Sequence, residues 1–277
     1  MFLNSALDFR KIFLISIVLS CVGCTNIFKA SANKGTDEAI AFEIRKAINS
    51  GSYDEAITLI ATLSADYRYT KPAVHLAAAA YAGKCGLNFA DFTEDLGAGA
   101  GSDPFMLWMM KLWHTKVVDY TNCVSAQTEM ERLASSYATR DSEDAFFMVI
   151  LGMVKIGTLL FEIVDTDDDQ VPDNPPFDGA LPSFCDANNF SDALTAEIGS
   201  GIGMVIGNLT QVGSSISGVD TTAFDAACTA LAAGLGGVNP CLIEDRAVFL
   251  ADNNKLKAIR TLLNTNSAGV INGAPCP

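Results

Sequence analysis

The sequence predicts an all-α protein. Nearly half of its 277 residues are apolar (49 %), ample for a core. Ala, Leu, Ile and Met are plentiful, and alternating β-branched runs, the mark of half-buried strands, are scarce. Apolar residues recur instead at three- and four-residue intervals over separate segments, which is the spacing of one helix face. The length allows one large domain or two small ones. Residues 37–277 are read as a single helical domain.

The first 23 residues stand apart. Arg10-Lys11 is a short positive region, Ile12 to Leu19 is unbroken apolar, and Ser20-Cys21-Val22-Gly23-Cys24 follows with small residues. This is the layout of a secretory signal peptide. Small residues directly ahead of a cysteine resemble a bacterial lipoprotein signal, which implies that the cysteine is acylated and becomes the mature N-terminus. Cys21 and Cys24 both fit the pattern. Gly23 and the longer spacer favour Cys24, with residues 24–36 as a polar tether. An unlipidated cleaved signal and a retained membrane helix are the competing readings. Against the latter, eight apolar residues at ~1.5 Å each do not cross ~30 Å of hydrocarbon. Thr25 after Cys24, by resemblance to known lipoproteins, implies the outer membrane, facing the periplasm.

Net charge is −14, and −15 once residues 1–23 are removed. A chain this acidic repels phosphate backbones, so nucleic acid is excluded as a partner class. Anionic lipid is excluded as an electrostatic dock for the same reason. Membrane attachment is expected through the N-terminal acyl chains.

Thr36-Asp37 predicts a helix cap, with a helix to about Ser50 that aligns Ile40, Ile44, Ala47 and Ile48. Gly51-Ser52 breaks it, and a second helix starts at Tyr53 with Ile57, Ile60 and Leu63 on one face. The phrase Gly51-x-Tyr53-x-x-Ala56 resembles the inter-helix turn of tetratricopeptide repeats. Glycine permits the tight turn, and Ala56 lets two backbones approach. A shift of ~34 residues, that family's period, carries Ile40 to Val74, Ala47 to Tyr81 and Ala56 to Ala90. Residues 71–97 therefore read as a degenerate second copy, and the resemblance extends over roughly 37–100, at most to 138. It implies a tetratricopeptide-like (TPR-like) array of antiparallel helix pairs. A generic antiparallel bundle is the alternative.

Gly97 to Gly101 is a loop without the Lys-Ser/Thr of a phosphate-binding loop. Ser102-Asp103-Pro104 caps a helix containing Phe105, Trp108 and Trp113. Another helix is expected over about Ala126–Tyr137. Ala145–Val164 is a 20-residue apolar stretch broken only by Lys155 and Glu162. It is long enough to span a bilayer, but a central lysine is costly there, so a buried core helix is favoured. In residues 189–213, Gly199, Gly203 and Gly207 form a stripe at intervals of four that lets another helix sit close, within the chain or in an oligomer or membrane. Further helices are expected over Thr222–Ala233 and Ile243–Leu263.

Residues 165–188 form an acidic loop. Asp165, Asp167, Asp169 and Asp173 occupy positions 1, 3, 5 and 9, with the Val171 carbonyl at 7. Alternating acids around a turn present oxygens to Ca²⁺. The loop resembles those of thrombospondin type 3 repeats and dockerins, and departs from them at Gln170, where glycine is usual, and at Pro176, where an acid is usual. The acids also follow the negative end of a long helix, where a cation relieves their repulsion. A structural Ca²⁺ is therefore expected, against a solvated acidic loop.

Six cysteines remain beyond the signal: Cys85, Cys123, Cys185, Cys228, Cys241 and Cys276. An even number in an exported chain reads as disulfides, and six admit about 15 pairings. Pairing in sequence order, on proximity alone, gives Cys85–Cys123, Cys185–Cys228 and Cys241–Cys276.

His75 and His114 are the only histidines, and no HExxH, GxSxG or Cys–His signature is present. The chain is therefore expected not to be an enzyme. The first functional expectation is an envelope lipoprotein acting as a protein-interaction scaffold for an unidentified envelope protein. Its groove would be lined by Tyr53, Tyr81, Trp108 and Trp113. The second is a small-ligand (solute) binding accessory, since the chain looks similar to lipoproteins with TPR-like helices that accompany solute transporters. A large apolar pocket favours the second; a peptide-width groove favours the first.

Overall fold

A computed structural model describes residues 35–88, 92, 109, 119–164, 183–188, 190–212, 222–264 and 276. The predicted signal, Cys24, the tether to residue 34, the acidic loop residues Asp165, Asp167, Asp169, Val171 and Asp173, and Trp108 and Trp113 lie outside the described residues. Among the described residues every regular element is a helix or a 3₁₀ turn.

Helix α1 (Asp37–Asn49) starts where Thr36 Oγ1 accepts the Ala39 N–H at 3.3 Å. It ends in a turn at Gly51, whose φ of +73° favours glycine. Helix α2 (Tyr53–Ile60) folds back along α1, and a short α3 (Ala65–Arg68) follows. Asp37 accepts from Ser64 N (2.8 Å) and Ser64 Oγ (2.5 Å), tying the start of α1 to the start of α3. Helix α4 (Lys71–Cys85) carries Pro72 in its first turn and stops at Gly86, φ +115°. Ala41, Ile44, Ala56, Ala73, Ala77 and Ala80 bury one another in a small N-terminal core.

The larger core surrounds α6 (Ser142–Val164). This is the predicted apolar stretch, and although long and apolar enough to cross a membrane, it is mostly buried within the fold. Helix α5 (Tyr120–Glu131) packs on it. That helix starts several residues before the expected Ala126, because Asp119 caps it by accepting the Thr121 N–H at 2.9 Å. Helix α7 (Asp192–Val212) runs antiparallel to α6 and is its main partner.

The glycine stripe serves close packing within the chain, but away from the α6–α7 crossing. The α6–α7 crossing uses Gly152 and Gly201: a Cβ on Gly152 would stand 2.8 Å from the Gly201 carbonyl oxygen, and one on Gly201 would stand 2.8 Å from Ile156. The predicted stripe turns to non-helical or later segments. Gly199 meets Phe249, Gly203 meets the Ile243 backbone and Gly207 meets Tyr137.

Helix α8 (Thr222–Gly234) is followed by Gly236 and Gly237, both at positive φ, and by a 3₁₀ turn at Pro240–Leu242. The expected single helix over Ile243–Leu263 is two: α9 (Arg246–Leu250) and α10 (Asn253–Asn264). Asp245 accepts the Ala247 N–H and Asp252 the Asn254 N–H, so each carboxylate starts a helix anew.

The disulfides are Cys85–Cys123, Cys185–Cys276 and Cys228–Cys241. The first agrees with pairing by sequence order; Cys185–Cys228 and Cys241–Cys276 do not form. The glycine turn after α8 folds Cys241 back onto Cys228, only 13 residues away. That leaves Cys276, whose N–H donates to Thr261 Oγ1 on α10, to reach Cys185 in the 3₁₀ turn Ser183–Cys185 that packs on the same helix.

Candidate functional site: a cleft between two parallel helices

Helices α4 and α6 run parallel, and a cleft of about 770 Å³ opens between them. The α4 wall of the cleft is rich in small residues. Ala79, Ala82 and Gly83 form one wall; Phe146, Phe147 and Ile150 form the other. Ile48 to Tyr53, the turn between α1 and α2, closes one side, and Met130 of α5 contributes below.

Tyr53 stands where the groove was expected. A Cβ on Gly83 would lie 2.1 Å from its ring, so the ring rests directly on the α4 backbone. Tyr81, the second predicted groove residue, is not on the cleft; it is partly buried against the larger core. Of the predicted helix bearing Trp108 and Trp113, the described Met109 is fully buried in that core.

One end of the cleft is polar. His75 Nε2 lies 2.7 Å from Asp144 Oδ1, and Asp144 is buried. Lys71 bridges Asp141 (2.5 Å) and Asp144 (3.1 Å) from outside. The Asp141 carboxylate raises the Lys71 ammonium above its ordinary value. Asp141 in turn is held below the usual carboxylate range by the Asp144 N–H and then by Lys71. Glu143, on the same turn of α6, is exposed and lines the cleft. His75 thus lines the cleft and hydrogen-bonds to the buried Asp144. His114 lies outside the described residues.

A second polar cluster was missed altogether. Lys155, 0 % exposed, donates to Gln127 Oε1 (2.8 Å) and Ser200 Oγ (3.1 Å) and pairs with Glu197 (2.5 Å). Ser200 donates to the Glu244 carbonyl, and the Glu244 carboxylate takes Arg140 and Asn208. Complete burial pushes the Lys155 ammonium down. Burial alone would raise Glu197, but Lys155 and Arg246 together hold it below its ordinary range. A lysine within reach of a serine hydroxyl can serve as nucleophile and base, but Ser200 is 0 % exposed and already donates to a carbonyl, so the cluster is arranged to join α5, α6, α7 and the 243–244 segment. The signal available was a charge in the middle of each of two mainly apolar helices, Lys155 and Glu197.

Among the described residues no group of three or more His, Cys, Asp and Glu is arranged to hold a metal. No protein-family model, curated protein or solved structure matches this chain.

Proposed function

We propose that this chain is a lipid-anchored binding protein of the bacterial envelope, attached to the outer membrane through Cys24 and facing the periplasm, whose α4–α6 cleft holds a small organic ligand. One observation carries this reading: a concave site of about 770 Å³, within the ~300–1,000 Å³ of small-molecule pockets and, like them, apolar-walled with a few convergent polar groups. It favours the solute-binding accessory over the peptide scaffold, because a single large pocket with apolar walls suits a small organic molecule. TPR-like ancestry is supported by Gly51 at positive φ, by the fully buried Ala56, and by α1 and α4 beginning one repeat period apart.

The reading includes one structural Ca²⁺ on Asp165, Asp167, Asp169, Asp173 and the Val171 carbonyl. Helix α6 ends at Val164, so these acids would follow its negative end directly.

Native mass spectrometry of the full chain, extracted gently from membranes with calcium present, tests the proposal. An acyl adduct, one Ca²⁺ and a small organic mass are expected. Ala79→Phe, which fills the cleft from a partly exposed position, should remove the organic mass alone. A co-purifying polypeptide that survives Ala79→Phe, with no organic mass, would return the scaffold reading.

A further inference from the structure

The charges around the cleft discriminate between ligand classes. Among the described residues two carboxylates, Glu143 and Asp144, line it, and no lysine or arginine does. Lys71 stands behind Asp144 and is engaged by Asp141 and Asp144. Arg45 and Lys71 line an adjoining, shallower hollow that shares His75, Ala79 and Glu143 with the cleft.

The start of α6 would by itself attract an anion. Asp141 occupies that position: its carboxylate accepts the Asp144 N–H at 3.0 Å and its carbonyl the Ala145 N–H at 2.9 Å. The chain supplies its own anion there, and a ligand's carboxylate or phosphate would meet Asp141, Glu143 and Asp144 together. Glu143 makes no ion pair among the described residues, although it sits on the cleft's polar edge. Beside it, Phe146 is 38 % exposed and lines the same cleft. A carboxylate next to exposed aromatic faces is the setting in which an organic ammonium is held by charge and by cation–π attraction at once. The net charge of −14 raises the local concentration of cations further.

We propose that the α4–α6 cleft selects small organic cations, with a protonated amine seated on Glu143 and an apolar body between Phe146, Phe147, Ile150 and Tyr53. The proposal rests on the reading of the cleft as the binding site.

The test is isothermal titration of the full chain in zwitterionic-lipid nanodiscs, with empty discs subtracted. Three probes share one body: 4-phenylbutylamine, 4-phenylbutanol and 4-phenylbutyrate. The amine is expected to bind about fivefold tighter than the alcohol, the scale of one partly exposed ion pair, with the carboxylate weakest. Glu143→Gln should erase the preference of amine over alcohol and leave the alcohol's affinity in place; Ala79→Phe should abolish binding of both. Equal affinity for amine and alcohol, or a preference that survives Glu143→Gln, overturns the cation assignment while leaving the cleft as the site. Binding unaffected by Ala79→Phe, or no binding of any probe, overturns the site and this inference with it.

Discussion

Lys155 Nζ lies 2.5 Å from Glu197 Oε2, joining the middle of α6 to α7 where both helices are mainly apolar. Two charges removed from water are tolerated because each has further partners: Gln127 and Ser200 for the ammonium, Arg246 for the carboxylate.

These partners make the two single deletions unequal. Glu197→Gln leaves a fully buried ammonium with only neutral acceptors and should cost about 3–5 kcal/mol. Lys155→Met leaves Glu197 still paired with the half-exposed Arg246 and should cost less. The double variant should be more stable than Glu197→Gln alone. Urea midpoints at constant slope measure all three, and additive losses would refute this account of the pair.

Glycine substitutions should separate by what the new methyl meets. A Cβ on Gly203 would stand 2.1 Å from the Ile243 carbonyl oxygen, which is backbone and carries the neighbouring Glu244 network. Gly203→Ala should cost at least ~2 kcal/mol, an overpacking loss larger than the helix-propensity gain of about 1 kcal/mol. At Gly234, the last residue of α8, nothing lies within 4 Å. Gly234→Ala should be neutral or stabilising by thermal melting.

Acid should act in two opposite steps. Burial raises the carboxyls of Glu129 and Glu131 above their ordinary 4.5. The charged forms are thus disfavoured in the fold, and this contribution is fully present below pH 4.5 and lost as pH rises through the raised values. Glu197 is held below 4.5, so its contribution is present above that pH and lost as pH falls through its folded value. Asp37, lowered by the Ser64 hydroxyl, and Asp252, lowered by Lys255, follow at still lower pH. Stability should therefore peak in mildly acidic buffer and fall steeply below it. Glu131→Gln should flatten the rise from neutral pH toward the peak in denaturant titrations across pH. An unchanged rise would exclude Glu131 as its source.

Disulfides should rank by the loop each closes. Cys185–Cys276 spans 91 residues and Cys228–Cys241 spans 13. In the chain-entropy model their removal costs roughly 4–5 and about 3 kcal/mol respectively. Peptide mapping without reduction should recover these two linkages and Cys85–Cys123. Recovery of Cys185–Cys228 would contradict the arrangement of α8 and α10 described above.

Much of the helix layout was legible, because its signals are local. Thr36 before two acids, Gly51 at the turn and Gly86 after Cys85 act on adjacent backbone, and α1, α2 and α4 lie where those residues place them. The Ile243–Leu263 segment shows the limit: apolar spacing runs through it, but Asp252 begins a new helix by side-chain capping that periodicity does not register. The cleft was half legible. Tyr53 was in view as a groove residue, while Tyr81, expected beside it, turned into the core.

What the sequence by itself determined is the all-helical class and the starts of α1 and α2, set by the Thr36 cap and the Gly51 turn. The tertiary structure alone decided which glycines carry the α6–α7 crossing, which cysteines meet, that Lys155 finds Glu197, and that α4 and α6 part to leave a cleft with Glu143 at its edge. The physical reason is range. Caps and turns act over three or four residues of one chain segment, whereas crossings, cross-links and cavities depend on the relative placement of helices distant in sequence, which the core as a whole sets.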